Sequence, residues 1–446
     1  SVTIAVSTVR PRPLNDLSEP PAAADKISDK TMLASLKVPD YLFLWIGMLA
    51  SAFAMNMQLV AQGWLVYEMT SSAMNLTWVT LAFMLPQVAF SLVGGVLADR
   101  VAKKPLIGWS PVINGVATLA MAYIIMFGTV SFWDFIWVGI LNGTVMALSM
   151  PARTAFIPEI VGERLMFNAM AYNMAAWNLS RILGPALAGF MIAIFAGGDT
   201  SSHYGVGLVY FVLSALYLVA AFTVLFIRHG GQPVPGKRSS PLKEVAEGLN
   251  YVFASPVVGG LILLSILPFL FGLTINTLLP AFSTDVLQGG PDDLGLLMTG
   301  MGAGAILGSL ALTKMSSFGH KGYWIIGTGI LWGLLLSLFA LTSAFSLAIA
   351  VIGTIGFVSA VNLSMNRSLV QLQVEQQMRG RIMSIDMMSH GLMPLGVLPI
   401  GYLAEVVSVS AGLFASGALL CVSTLAMGLF MPKIRAINIG YLEVRN

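Results

Sequence analysis

Gly94-Gly95-Val96-Leu97-Ala98-Asp99-Arg100-Val101-Ala102-Lys103-Lys104 stands between two apolar runs, at roughly 74–98 and 105–128. A helix rises about 1.5 Å per residue, so about 20 apolar residues cross the roughly 30 Å of hydrocarbon in a bilayer, and each run is long enough. Charge is crowded into the few positions between them. One acid and three bases in so short a turn can hold two helix ends together. Asp99 can face the positive N-terminal end of another helix, and Arg100, Lys103 and Lys104 can pair with acids or lipid phosphates. The stretch reads as a tight loop between two membrane spans.

Working outward, the same alternation repeats along the chain. Apolar runs lie at roughly 41–68, 74–98, 105–128, 132–156, 166–196 and 204–228, and again at roughly 257–284, 291–315, 321–342, 345–368, 381–406 and 410–431. They are continuous and not ten-residue alternations, so they predict twelve helices, not a barrel. Of the 446 residues, 57% are hydrophobic and 10% charged, whereas soluble domains run near about 45–50% and about 25%. That excludes an ordinary cytosolic enzyme, a disordered chain and a nucleic-acid binder. A net charge of +3 suggests no polyanionic partner. Cys421 is the single cysteine, so no internal disulfide and no cysteine metal cluster can form.

The basic residues set the orientation. Of the 23 lysines and arginines, 22 fall before the first span, after each even-numbered one, or beyond the last; Arg181 is the exception. By the positive-inside rule both termini are expected in the cytoplasm. Residues 1–38, rich in Pro, Ser, Ala and Asp, read as a disordered cytoplasmic tail and not a signal peptide. Residues 229–255 read as a cytoplasmic linker holding an amphipathic helix, with Ser240 and Pro241 as N-cap and first helical residue and Leu242, Val245, Leu249 and Val252 as its apolar stripe. The linker separates six-span bundles at 39–228 and 256–431, and residues 432–446 form a second cytoplasmic tail.

The bundles resemble each other at an offset near 214. Ala147-Leu148-Ser149-Met150, followed by Arg153, is echoed by Asn362-Leu363-Ser364-Met365, followed by Arg367. An intramembrane Pro follows each, at Gly184-Pro185 and Leu398-Pro399. A six-span repeat keeps the same orientation, so the bundles are expected to be related by an axis along the membrane normal.

With those features in view, the loop at 94–104 resembles the signature of the major facilitator superfamily: Gly95, Leu97, Asp99, Arg100, Lys103 and Lys104 match it, and Ala102 replaces its second glycine. The resemblance covers roughly residues 38–432. The fifth span carries Arg181, Gly184, Pro185 and Gly189. Pro185 removes a helix hydrogen bond and the glycines leave room for a partner backbone, so a bend is expected there. This is similar to the Gly-Pro motif of the superfamily's drug–proton exporters. Pro151-Ala152-Arg153, Pro158, Asn168 and Asn173 in one stretch, with Lys37 to Trp45 ahead of them, resemble the exporter branch of transmembrane secretion effectors, which includes enterobactin and macrolide exporters. The resemblance implies an all-α integral membrane fold, two pseudo-symmetric six-helix bundles, and a pathway lined by the first, fourth, seventh and tenth spans. It also implies a conformational role for the 95–104 loop and for Gly184, Pro185 and Gly189.

Burying charge in lipid is expensive, so ionisable residues inside spans are functional candidates. Arg181 reads as the only base well inside a span; it can hold an anionic group or tether a buried acid. Asp386 and His390 are four apart on the eleventh span and share a face. They can exchange a proton or make an interface hydrogen bond. The fourth span has no arginine in its middle and the first no carboxylate before Glu68, so Asp386 carries most of any proton coupling. Gln58, Gln62, Asn142, Asn178, Asn276 and Asn362 mark a candidate substrate cavity, or act as glue between helices. Trp64, Phe83, Met84 and Met146 can supply its soft walls.

Two motifs mislead. Gly231 to Lys237 approaches a phosphate-binding loop, but Arg238 stands where Ser or Thr should be and two prolines remove N–H groups. Gly300-Met301-Gly302-Ala303-Gly304 imitates a dinucleotide fingerprint inside a span and reads as a packing face. No nucleophile–base arrangement is visible, so enzyme activity, cofactors and metals are not expected. The expected function is proton-coupled efflux of an amphipathic organic solute, a drug or siderophore, by a monomer in the plasma membrane, the inner membrane of a bacterium. The alternatives are a lipid or lysolipid flippase and a non-transporting sensor or scaffold.

Overall fold

A computed structural model describes residues 33–196, 203–231, 241–315, 319–375 and 378–437. Most of the expected N-terminal tail, the stretch 232–240 and the last nine residues lie outside the described residues, as do the side chains of Asp99 and His390.

Among the described residues, 11 helices are long and apolar enough to cross a membrane. In chain order they supply the first to tenth spans and the twelfth: Pro39–Thr70, Ala73–Arg100, Lys103–Phe127, Phe132–Gly162, Arg164–Phe195, His203–Leu225, Pro256–Asp285, Pro291–Met315, Lys321–Ala340, Phe345–Gln373 and Val409–Phe430. The eleventh crossing departs from the expectation of a continuous helix. It is Arg379–Ser389, a tight turn at His390–Leu392, then Met393–Val406. Pro394 explains the break, because it has no N–H to give and its ring crowds the carbonyl four residues back. The seventh span is also divided, into Pro256–Leu270 and Ile275–Asp285 around a tight turn at Gly272–Thr274.

The fourth span runs past its expected end at 156 to Gly162, whose φ of 71° suits only glycine and redirects the chain into the fifth span. That extension corrects one assignment. Arg153 is not in a loop but inside the fourth helix, so Arg181 is not the only base within a span.

Close helix contacts follow the repeat. A Cβ on Gly94 would overlap the Ala147 carbonyl, joining the second and fourth spans, and one on Gly308, 214 residues on, would overlap the Phe357 carbonyl, joining the eighth and tenth. Without a hydrophobic driving force between helices in lipid, such small residues let backbones gain dispersion contact.

The halves meet towards the face opposite the described chain ends, here the distal face. Tyr67 donates to Asp285, Ser72 Oγ to Glu405 at 2.9 Å, and Thr80 Oγ1 to Thr277 Oγ1 at 3.3 Å. The fifth and eighth spans press together where Gly189 faces the Pro291 carbonyl and where Gly295 lies so close that a Cβ would sit 2.6 Å from the Pro185 carbonyl oxygen. On the opposite, basal face, the helix Pro241–Ala254 packs on the foot of the eleventh span, with Arg381 Nη1 2.7 Å from Glu247 Oε2.

Candidate functional site

The first five spans and the sixth leave a cavity of about 170 Å³. Every residue lining it belongs to the N-terminal half. Its polar wall holds Gln58 and Gln62 from the first span, Asn114 from the third, Asn142 and Arg153 from the fourth and Asn173 from the fifth. Met55, Phe83, Met146 and Trp177 give soft apolar walls. Gln58 and Gln62 are one helical turn apart and their amides approach at 3.5 Å. The side-chain oxygens of Ser51, Asn114, Asn142 and Asn173 are buried without a hydrogen-bond partner. Buried polar groups are nearly always satisfied, so four orphans around one void mark a place where water or a ligand completes the bonding.

The other cavity candidates lie elsewhere. Asn362 is buried and spends its amide on the Ile325 carbonyl and Thr328 Oγ1, both at 2.9 Å, which ties the tenth span to the ninth. Asn178 and Asn276 do not line the cavity. Arg181 is exposed on the fifth span, and its backbone carbonyl sits against Gly302 of the eighth. Of the soft-wall candidates, Phe83 and Met146 line the void and Trp64 and Met84 do not.

Asp386 is fully buried in the C-terminal half. Its Oδ1 accepts from Ser265 Oγ of the seventh span at 2.5 Å, and its Oδ2 lies 3.8 Å from Arg367 Nε of the tenth. The carboxylate therefore joins three spans, one turn before the break at His390–Leu392. Sequence reasoning singled out Asp386 but neither partner; Ser265 carried no signal, and Arg367 carried one only as the repeat of Arg153.

The 95–104 loop ties the N-terminal half together at its base. Lys103, 1% exposed, places Nζ 2.8 Å from Glu159 Oε1 of the fourth span. Its backbone N–H donates to Gly231 at 2.8 Å, and Lys104 Nζ donates to the Ile227 carbonyl at 2.5 Å. Arg100 is exposed, and Gly95 faces open space. The stretches that carried the family resemblance also touch. Ser35 Oγ lies 2.6 Å from Asn168 Oδ1, and Tyr41 and Trp45 of the first span donate to the carbonyls of Ala169 and Tyr172 of the fifth. In the fifth span, Gly184 abuts Asn56, and a Cβ there would lie 3.0 Å from that residue's Cβ.

A family model described as transmembrane secretion effector matches residues 30–441. The chain belongs to that family of membrane transporters. It is 23% identical over 415 residues to the multidrug efflux pump Tap of Mycolicibacterium fortuitum, covering 90% of this chain and 98% of that protein. It is 26% identical over 291 residues to the enterobactin exporter EntS of Escherichia coli O1:K1 / APEC, covering 65% of this chain and 67% of that one. Among solved structures it resembles the nucleoside transporter NupG, with a TM-score of 0.69 at 15% identity over 88% of this chain and 99% of that one. It also resembles a bacterial homologue of the lysosomal transporter Spinster in an inward-facing, unoccupied conformation, with a TM-score of 0.66 at 15% identity over 89% and 95% of the two chains. The protein has the major facilitator fold, and it is a multi-pass membrane protein.

Proposed function

We propose that this family member is a secondary active exporter that moves an amphipathic organic solute, a drug or siderophore, out of a bacterial cell by alternating access, driven by proton influx. One observation carries the reading. The contacts between the halves gather towards the distal face, from Tyr67–Asp285 through the Gly189–Pro291 approach, while a cavity with unpaired polar groups lies between the spans. With the basal face cytoplasmic, as the basic residues suggest, this is a conformation closed to the outside. The names of the relatives, multidrug pump and siderophore exporter, support the direction.

Asp386 is the coupling residue of this proposal. Protonation removes the charge that holds Arg367 and weakens the acceptor for Ser265, which frees three spans to move against one another beside a helix already broken. Gly184 and Pro185 supply the bend of the fifth span against the eighth, and the 95–104 loop keeps the N-terminal half rigid while the halves rock.

The test is dye and macrolide accumulation in an efflux-deficient bacterial host. The unaltered chain is expected to lower accumulation, and both a protonophore and Asp386→Asn are expected to restore it. Export that persists under both treatments sinks the coupling proposal, and a panel in which nothing is moved sinks efflux of such solutes.

A further inference from the structure

The two halves share a serine and an arginine at repeat-related positions but use them differently. In the C-terminal half, Ser265, Arg367 and Asp386 come together as a closed cluster. At the repeat offset of 214, Ser265 corresponds to Ser51 and Arg367 to Arg153, and Asp386 falls within one residue of Asn173. Ser51, Arg153 and Asn173 all line the N-terminal cavity. The half that closes its cluster has the carboxylate; in the half that leaves a void Tyr172 stands at that offset, and the amide of its neighbour Asn173 lines the cavity.

Arg153 is thereby left with its charge unanswered. It makes no ion pair and no hydrogen bond with any described residue. Ser51 and Asn173, which line the same cavity, also have oxygens without a hydrogen-bond partner. A guanidinium away from bulk water needs an anion or several acceptors, and its planar fork suits a carboxylate. The Ser51 hydroxyl and the Asn173 amide N–H can donate to the same anion, and the amide can turn to do so.

We infer that Arg153, with Ser51 and Asn173, forms an anion-accepting subsite for the acidic group of an amphipathic solute, which takes the part that Asp386 plays beside Arg367 in the other half. The inference rests on the efflux reading for the purpose of the site, but not for its existence. Met55, Phe83, Met146 and Trp177 then take the apolar body of the solute. The acidic group can belong to a soluble organic acid or to a lipid headgroup, since the chemistry of capture is the same.

Binding to the purified full chain in phosphatidylcholine nanodiscs tests this without requiring transport. The probes are 1-naphthoate and its neutral methyl ester. The unaltered chain is expected to prefer the carboxylate. Arg153→Gln is expected to weaken naphthoate binding about ten- to hundredfold, the usual range for losing a charge-assisted contact, and to leave the ester unchanged. Arg153→Lys should retain part of the preference. Asn173→Asp is the sharper variant, because it supplies a carboxylate from the cavity wall itself. It should abolish naphthoate binding while Tm holds or rises, which separates a blocked site from a misfolded chain. Added phosphatidylglycerol that competes with naphthoate supports the site and assigns it to a lipid headgroup; no competition supports a soluble acid. Equal binding of acid and ester, no binding of naphthoate by the unaltered chain, or full binding by Asn173→Asp overturns the inference. Binding with these properties in a chain that exports nothing would sink the efflux proposal alone.

Discussion

The two halves share a fold and a repeat, yet they place their unmet polar groups differently. In the C-terminal half Asn362 bonds Ile325 and Thr328, Thr274 bonds Ser416 at 2.6 Å and Ser265 bonds Asp386, while the unmet Ser283 Oγ, Trp332 Nε1 and Asn366 Oδ1 do not line the cavity. In the N-terminal half, Ser51, Asn114, Asn142 and Asn173 surround a void with oxygens that meet nothing. An unmet polar group in a low-dielectric interior costs free energy, so it persists only where something outside the fold satisfies it. The difference teaches that duplication can separate two tasks. One half holds a bonded network whose protonation can change its packing, and the other holds a pocket whose bonding is completed by what it carries.

The N-terminal half is loose only around its cavity. At its base Lys103 is as deeply buried as any core residue and is paired with Glu159. Lys103→Met keeps the length and apolar stem of the side chain but leaves that carboxylate with only the more distant His229 Nε2, 3.7 Å from its Oε2. Removing one partner of a buried pair costs roughly 3–5 kcal/mol, and the partial exposure of Glu159 brings the expected loss to the lower end of that range. Thermal unfolding of the purified chain checks it. A Tm unchanged from the parent would mean that the base is as slack as the cavity, and the contrast between the halves would become one of overall rigidity.

How much of this was legible before the structure follows from what a sequence encodes locally. The spans were, because an apolar run of membrane length has one economical fold, and Gln58 with Gln62 was, because helical spacing alone puts them on one face. The break at His390–Leu392 was not, since Pro394 is also compatible with a bend inside a continuous helix. Arg153 was misplaced for a related reason: three residues from the end of a run drawn to 156 it counts with the bases that follow the span, and the continuation to Gly162 sets it well inside the helix. The amides were ambiguous in principle. Asn142 and Asn362 both stand in apolar helices, and nothing local says that one faces a void and the other a neighbour's carbonyl.

That pair offers the next test. Asn362→Ala leaves Thr328 and the Ile325 carbonyl without their donor, and interhelical hydrogen bonds in membranes are worth about 0.6 kcal/mol on average and up to about 1.7. With two such bonds lost, a stability loss of about 1–2 kcal/mol is expected. Asn142→Ala removes a group that has no partner, so Tm is expected to hold or rise while solute binding suffers. Equal losses of Tm from both substitutions would erase the distinction between a bonding amide and a recognising one.

The smallest expected effect comes from a substitution that one half already contains. Thr274 of the seventh span pairs with Ser416, and at the repeat offset its counterpart is Val60, fully buried in the first span. Thr274→Val therefore asks whether the C-terminal half tolerates the choice made in the N-terminal one. Ser416 Oγ, whose one proton goes either to Thr274 or to the Phe271 carbonyl 2.5 Å away, then gives it to the carbonyl, so no buried donor is orphaned, and a methyl replaces the hydroxyl at nearly constant volume. The expected change is below about 1 kcal/mol, a small drop in Tm with export unaffected. A large drop would show that the hydroxyl does more than bond its neighbour. Because Phe271 begins the break in the seventh span, the place to look would be that turn, where Thr274 Oγ1 also donates to the Phe271 carbonyl at 2.8 Å. The bonded network would then act chiefly to hold a broken helix in shape, and the proton would have to work through that break.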